Sequence, residues 1–331
     1  NPPGPDPQYT PRPNMAGDAY AFFLAMGPVG PGSRTWLPPE TAPLWNLVLQ
    51  HPSYDEFWHA RNIRPHLKKM APAMLEVGGF YDAEDLFGPF GTFRAIEQSS
   101  GGAGNHLAMG PWSHGGWARG DGDALATLRW NNKTGPWFRD SVEFPFFLHH
   151  LSGGPDPNLP KVLIYRTGAD TWDRYDAFPP KSAVKKALYF QAGGKLSFDK
   201  PGKGPEYDEY VSDPSNPVPV VGRKDGSGMP RDYMVGDQRF ASQRADVLTY
   251  VSDVLTSDVT IAGPLTPVLH VATSGTDGDF DVKFIDVWPA DAPNWAGDTS
   301  GFKVAGYQQL LRGEPFRGRY RRSHEKPVAF A

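Results

Sequence analysis

The sequence predicts an α/β unit followed by an all-β sandwich, with a helical segment ahead of both. Three observations carry this. Two short apolar runs, 73–77 and 106–109, each stop at glycines and enclose a helix-length stretch at 86–98, as buried parallel strands feeding loops do. Beyond Gly153-Gly154-Pro155 the helical period disappears, and short β-rich runs recur between Gly, Pro and Asp turns, a spacing that suits a β-sandwich or jelly roll. The first sixty residues carry helix and loop signals without a strand pattern.

At 331 residues the chain exceeds one typical domain and has enough length to bury a sizeable core. A net charge of −4 supplies no long-range attraction to nucleic acid or to an anionic membrane. There are no cysteines, which excludes disulfides and thiolate chemistry. The 37 glycines and 35 prolines make about a fifth of the chain, short of the ~25–30 % that marks low-complexity disorder. Ten Trp, thirteen Tyr and twenty Phe fit a loop-rich, well-packed globular protein. No apolar run approaches the ~18 residues of a membrane span. The chain starts at Asn1 without Met or a signal peptide and stops at Ala331 just after a strand-like segment, so it reads as an internal piece of a larger protein.

In chain order, residues 1–15 hold six prolines and read as an extended linker or surface loop. A short helix is expected over 16–26, ended by Gly27-Pro28. Further helical stretches are expected over 44–49 and 54–62, the second capped by Ser53 with Glu56 closing a capping box. The strand at 73–77, the helix at 86–98, a turn at 101–104 and the strand at 106–109 follow. Residues 117–135 are polar and glycine-rich and read as a long surface loop. A helix over 138–151 presents Phe144, Phe147, Leu148 and Leu151 as its apolar face. The boundary to the β part falls near residue 158, and strands are expected at 162–167, 187–191, 248–251, 259–262, 268–273 and 281–287.

The chemistry sits on the loops that follow the two apolar runs. The first carries Asp82, Glu84 and Asp85; the second carries His114. In open α/β sheets the crevice beyond the carboxyl ends of the strands is where ligands bind. A carboxylate and an imidazole on neighbouring strand ends are two members of a Ser-His-Asp system, in which the Asp fixes the tautomer and the His moves the proton. Asp82 precedes His114, the order of α/β-hydrolases, and the interval leaves room for one helix and a return strand. Taken singly, each residue has a plainer role: Asp82 as a cap for the helix near Leu86, His114 as a packed loop histidine beside Trp112 and Trp117, Glu84 and Asp85 as first-turn acids favoured by the helix dipole. No Gly-x-Ser-x-Gly occurs. Ser113 adjoins His114 and so points away from it, and Ser99-Ser100 follow no strand. Either the nucleophile lies upstream of Asn1 or the pair is not part of a triad.

Weaker candidates are Asp277, Asp279 and Asp281, which lack the ligand count of a calcium loop and read as strand-edge acids; His149-His150, which lack metal spacing; and the basic run 312–322, which reads as a solvated face or an intersubunit contact.

The segments GGFYDAEDLFG and NHLAMGPWSHGG, with the later GPLTPVLHVATSGTDGDFDVKFIDVWP and GYQQLLRGEPFRGRYR, resemble the cocaine-esterase-like and glutaryl-acylase-like serine hydrolases. Within that family the chain is most similar to the α-amino acid ester hydrolases, the β-lactam antibiotic acylases. The resemblance implies the end of a helical cap over 1–58, the second half of an α/β-hydrolase domain over 59–158 and an incomplete jelly roll over 159–331. It implies Asp82 as triad acid, His114 as triad base, and Glu84 and Asp85 as carboxylates that hold the substrate's α-ammonium group. A cation drawn into a pocket needs paired anions, and it relieves the repulsion between them. Leu86, Phe80 and Tyr81 are expected to line the acyl pocket. The family's third cluster acid, serine elbow and oxyanion-hole tyrosine lie upstream of the matching segments. The resemblance further implies a small-molecule ester or β-lactam substrate, no metal or organic cofactor, and a periplasmic or secreted homo-oligomer. It leaves open an esterase or glutaryl-type acylase without amino-group specificity, and a jelly-roll binding protein without catalysis. The 331-residue chain alone is expected to be inactive.

Overall fold

The computed structural model describes residues 18–38, 40, 42–100, 104–204, 207–221, 230, 233–275 and 278–318. The proline-rich start, Asp277 and the end of the basic run, 319–322, lie outside them. The chain forms two compact units, residues 1–63 with 213–230, and residues 64–212 with 231–331.

The first unit is helical: α1 (Ala19–Met26), α2 (Val29–Ser33), α3 (Pro43–Gln50) and α4 (Glu56–His59). Asp18 caps α1 by accepting the Tyr20 N–H, and Gly27 closes it at φ 72°, a conformation glycine enters without steric cost. The Tyr20 hydroxyl donates to the Pro214 carbonyl at 2.9 Å, which ties the returning segment to α1. The expected cap of the helix at 54–62 shifts by two residues: Asp55, not Ser53, accepts the Phe57 N–H. An aspartate competes well for this position, and its other oxygen is held by His51 Nδ1 at 2.7 Å.

The second unit is built on a four-stranded sheet in the order β1 (Met74–Gly79), β2 (Asn105–Gly110), β5 (Val162–Arg166), β6 (Thr171–Tyr175). β1, β2 and β5 are parallel, and β6 returns antiparallel to β5. Alternation along the strands sorts side chains onto two faces. Leu107 and Met109 of β2 and Val162 and Ile164 of β5 pack against Phe93 of α5 (Phe87–Ser100). Ala108 and Leu163, with Leu75 and Val77 of β1, face Trp112, Phe138 and Val142 on the other side. Both faces are covered, as parallel sheets require.

Three expectations change here. Residues 117–135 are not a surface loop throughout: they form a hairpin of β3 (Ala124–Leu125) and β4 (Leu128–Arg129) and bury Leu128, Trp130 and Thr134. The helix after them is continuous but passes from α6 (Thr134–Phe138) through a π turn at Arg139–Glu143 into α7 (Phe144–Ser152). The wider π turn keeps Phe138, Val142 and Phe146 on one line, and these are the residues buried on the sheet, while Phe144, Phe147, Leu148 and Leu151 are exposed. Finally, the sheet continues past residue 158, because β5 and β6 extend it.

After β6 the described residues pair as two antiparallel ribbons, β7 (Tyr189–Gln191) with β8 (Lys195–Ser197) and β9 (Asp279–Val287) with β10 (Gln308–Arg317); a one-turn helix, α8 (Arg239–Ser242), lies between them in the chain. The runs 248–251, 259–262 and 268–273 are extended without ladders, apart from a single bridge between Val251 and Lys195. A third apolar cluster joins Tyr81, Leu128, Trp130 and Tyr165 to Met234, Val235 and Tyr307, and so fastens the C-terminal part of the unit to the loop after β1.

Candidate active site

β1 ends at Gly78-Gly79, and the chain beyond stays bonded to the loop after β2. Phe80 N–H donates to the Gly110 carbonyl at 2.9 Å and Tyr81 N–H to the Trp112 carbonyl at 3.0 Å. Gly79 is required for this approach, since a Cβ there would lie 2.1 Å from the Trp112 carbonyl oxygen.

Asp82 follows and is buried at 2 % exposure. One carboxylate oxygen accepts the backbone N–H groups of Glu84 at 2.8 Å and Asp85 at 3.1 Å. Those two bonds fix the plane of the carboxylate, and its other oxygen meets His114 Nδ1 at 3.0 Å. His114 comes from the loop after β2, with Gly115 next in the left-handed region at φ 68° and Arg119 donating to the His114 carbonyl at 3.4 Å. The imidazole is half-exposed. Its pKa is raised, first by the hydrogen bond to Asp82, then by that carboxylate's charge, with smaller contributions from Glu84 and Asp85 against a lowering by desolvation. Asp85 Oδ2 stands 3.6 Å from Nδ1 and Glu84 Oε2 3.9 Å from Nε2, and both side chains are largely exposed. Chemically the arrangement holds Nδ1 on the Asp82 carboxylate, with Asp85 beside that same nitrogen, and leaves Nε2 on the side of Glu84.

Asp82, Asp85 and His114 each offer a donor atom within 4.8 Å of one another, the only such set among the described residues. Nδ1 and Asp82 already satisfy each other, and nothing beyond proximity points to an ion. No hydroxyl among the described residues hydrogen-bonds to the His114 ring.

The acyl-pocket residues divide. Leu86 and Phe80 are half-buried beside Phe90, packed on the α5 side of the sheet. Tyr81 is corrected: it is 4 % exposed, its ring lies against Trp130 in the third cluster, and its hydroxyl accepts from Gln309 Nε2 at 3.4 Å. Burial pushes the phenol up to about 12, and the ring serves packing. Arg312, expected in a solvated basic face, donates to the Phe80 carbonyl at 3.4 Å and pairs with Glu314 at 2.6 Å. His149 Nδ1 is 2.8 Å from the Gly154 carbonyl, and Asp279 pairs with Arg317 at 3.4 Å, which accounts for both without a ligand. Sequence reading missed Gln309 and Thr134, whose partners lie far away in the chain or on a loop taken for solvent.

The profile of the X-Pro dipeptidyl-peptidase (S15 family) matches residues 7–116, and that of the X-Pro dipeptidyl-peptidase C-terminal non-catalytic domain matches residues 157–329. Cocaine esterase from Rhodococcus sp. (strain MB1 Bresler) is 30 % identical over 263 residues, 73 % of this chain and 43 % of that protein. A putative serine esterase of Mycobacterium tuberculosis is 29 % identical over 263 residues, 76 % of this chain and 39 % of its own length. The structure of a selenomethionine-labelled α-amino acid ester hydrolase superposes with a TM-score of 0.83 at 35 % identity, over 96 % of this chain and 52 % of that one. An aminopeptidase from a marine-sediment Thaumarchaeota archaeon superposes with a TM-score of 0.80 at 35 % identity over the same shares. The chain thus spans about half the length of the relatives it matches. With the C-terminal profile alone covering more than half of its residues, the chain belongs to the S15 family of serine-type peptidases and esterases, alongside cocaine esterase and α-amino acid ester hydrolase.

Proposed function

We propose that this chain supplies the acid–base half and the amino-group recognition of a serine hydrolase of α-amino acid esters. The observation that carries this is the 3.0 Å contact between His114 Nδ1 and the buried Asp82, with Glu84 and Asp85 beside the same ring. In this reading a serine from hydrolase sequence outside the 331 residues attacks the ester carbonyl. His114 Nε2 takes the hydroxyl proton and returns it to the departing alcohol. Water then releases the acid, or a β-lactam amine takes the acyl group in its place. Asp82 holds the tautomer and stabilises the imidazolium, while Glu84 and Asp85 hold the α-ammonium. Leu86 and Phe80 face the acyl side chain. The C-terminal region acts as the non-catalytic domain, a sandwich of jelly-roll type, in a secreted or periplasmic oligomer.

A second reading is favoured by the match to cocaine esterase: an esterase that does not require an amino group. The two separate on kcat/KM for an α-amino ester against its des-amino analogue, measured on a protein that joins this chain to a nucleophile-bearing hydrolase half. The first reading expects preference for the amino ester, and about a tenfold loss of that preference in Glu84→Gln/Asp85→Asn with the analogue unaffected. Equal turnover of both esters, unchanged by the two substitutions, defeats it. The 331-residue chain assayed alone is expected to give no turnover approaching that of the joined protein.

A further inference from the structure

We propose that Thr134, acting through Trp112, is a positioning residue that sets the reach of His114 to Asp82. The proposal rests on the reading of those two as the acid–base couple.

Trp112 precedes His114 by two residues and is 2 % exposed. Its backbone and its side chain do different jobs. The carbonyl accepts the Tyr81 N–H at 3.0 Å, so the residue next to Asp82 hangs from the residue next but one to His114. This single peptide group links the two loop tips. The indole N–H donates to Thr134 Oγ1 at 2.9 Å, and the threonine hydroxyl donates onward to the Gly122 carbonyl at 2.5 Å. Thr134 is fully buried and is the first residue of α6, whose Phe138 packs edge-on against the same indole at 5.3 Å. A hydroxyl can accept one bond and donate another at the same time. Serine shares that ability and valine, of the same shape as threonine, does not. Space around the indole is also closed: a Cβ at Gly110 would lie 2.5 Å from its ring, and one at Gly122 would lie 2.6 Å from Thr134 Oγ1. The indole therefore has one seat, fixed by the threonine, and the loop that carries His114 takes its height above the sheet from that seat.

A threonine that merely filled the core would lower stability when replaced and leave the His114–Asp82 contact alone in molecules that still fold. A positioning residue changes the contact itself. The readout is the pH titration of His114 by NMR in the 331-residue chain, which needs no nucleophile. The groups facing the ring are Asp82, Glu84 and Asp85, with the Arg119 guanidinium on its backbone carbonyl. In the native chain His114 titrates above the ordinary value of ~6.5. In Thr134→Val it falls toward that value, and in Thr134→Ser it returns. Trp112→Phe keeps a ring and deletes only the indole N–H, and it moves His114 the same way. The proposal is overturned if Thr134→Val and Trp112→Phe both fold with His114 titrating as in the native chain. It is equally overturned if both variants unfold, which assigns the pair to the core. Asp82→Asn reads the couple separately: if it leaves His114 unmoved, the acid–base reading fails, whereas failure of the Thr134 proposal leaves the Asp82→Asn shift intact.

Discussion

In the sheet unit Met109, Val162 and Phe138 are wholly removed from water, whereas among the described residues of the helical unit only Ser33 is buried. The helical unit is held instead by caps and local polar contacts: Asp18 on α1, Asp55 on α4, His51 against Asp55, and Trp45 donating to Ser33 at 2.9 Å. Its Tyr20, Phe23, Leu24 and Leu44 remain exposed. The difference teaches where a rigid site can be built. Asp82 and His114 stand on short loops at the ends of strands packed on both faces, so their separation is set by a close-packed core. Among the described residues the helices of the other unit bury no such core, and apolar burial is what gives most helices their stability.

That contrast breaks most sharply under truncation. Phe138→Ala is expected to cost the sheet unit about 3–5 kcal/mol, seen as a large fall in its urea midpoint, while Phe23→Ala costs the helical unit less than ~1 kcal/mol. Equal losses in the two units would end the distinction. Next comes Gly79→Ala, whose added methyl meets the Trp112 carbonyl. Overpacking of this kind costs about 1–3 kcal/mol, and hydrogen exchange should show the Tyr81 amide losing protection before the rest of β1. In the helical unit the matching local change is Asp18→Ala, which removes a cap worth about 1 kcal/mol. Its effect should stay within the amides of α1 and leave the sheet unit's midpoint where it was.

The smallest effect is the pH dependence carried by His114. Its folded pKa is raised, so the charged ring adds stability that is complete below its unfolded value of ~6.5 and is lost as pH rises through the folded value. Melting temperatures of the native chain and of His114→Gln, compared across pH, should differ most on the acid side and converge above the folded pKa. A gap that widens with rising pH would reverse the assignment.

The strands at 73–77 and 106–109, the helix between them and the Asp-before-His order were legible because each is written in a short window: a run of apolar residues, a glycine stop, a polar tip. The move of the buried stripe from Phe144 and Phe147 to Phe138, Val142 and Phe146 was not, because a π turn changes the period midway. The runs at 248–251, 259–262 and 268–273 have strand composition, yet Val259 and Val268 stay exposed and the backbone there joins no ladder beyond the one bridge at Val251. Strand propensity describes fitness for a half-buried pleated surface, and it is realised only where a partner strand supplies one.

By itself the sequence determined which segments alternate or stop at glycines, that Asp82 and His114 leave neighbouring strands, and that three acids share one loop. Only the tertiary structure decided that Asp82 is buried with one oxygen on two amides and the other on His114 Nδ1. It alone buried Tyr81 against Trp130 and Gln309, the latter 228 residues further on, and tied Trp112 to Thr134. The physical reason is that periodicity and turn chemistry act over a few residues. Burial and hydrogen-bond pairing depend on which distant segment closes the remaining space.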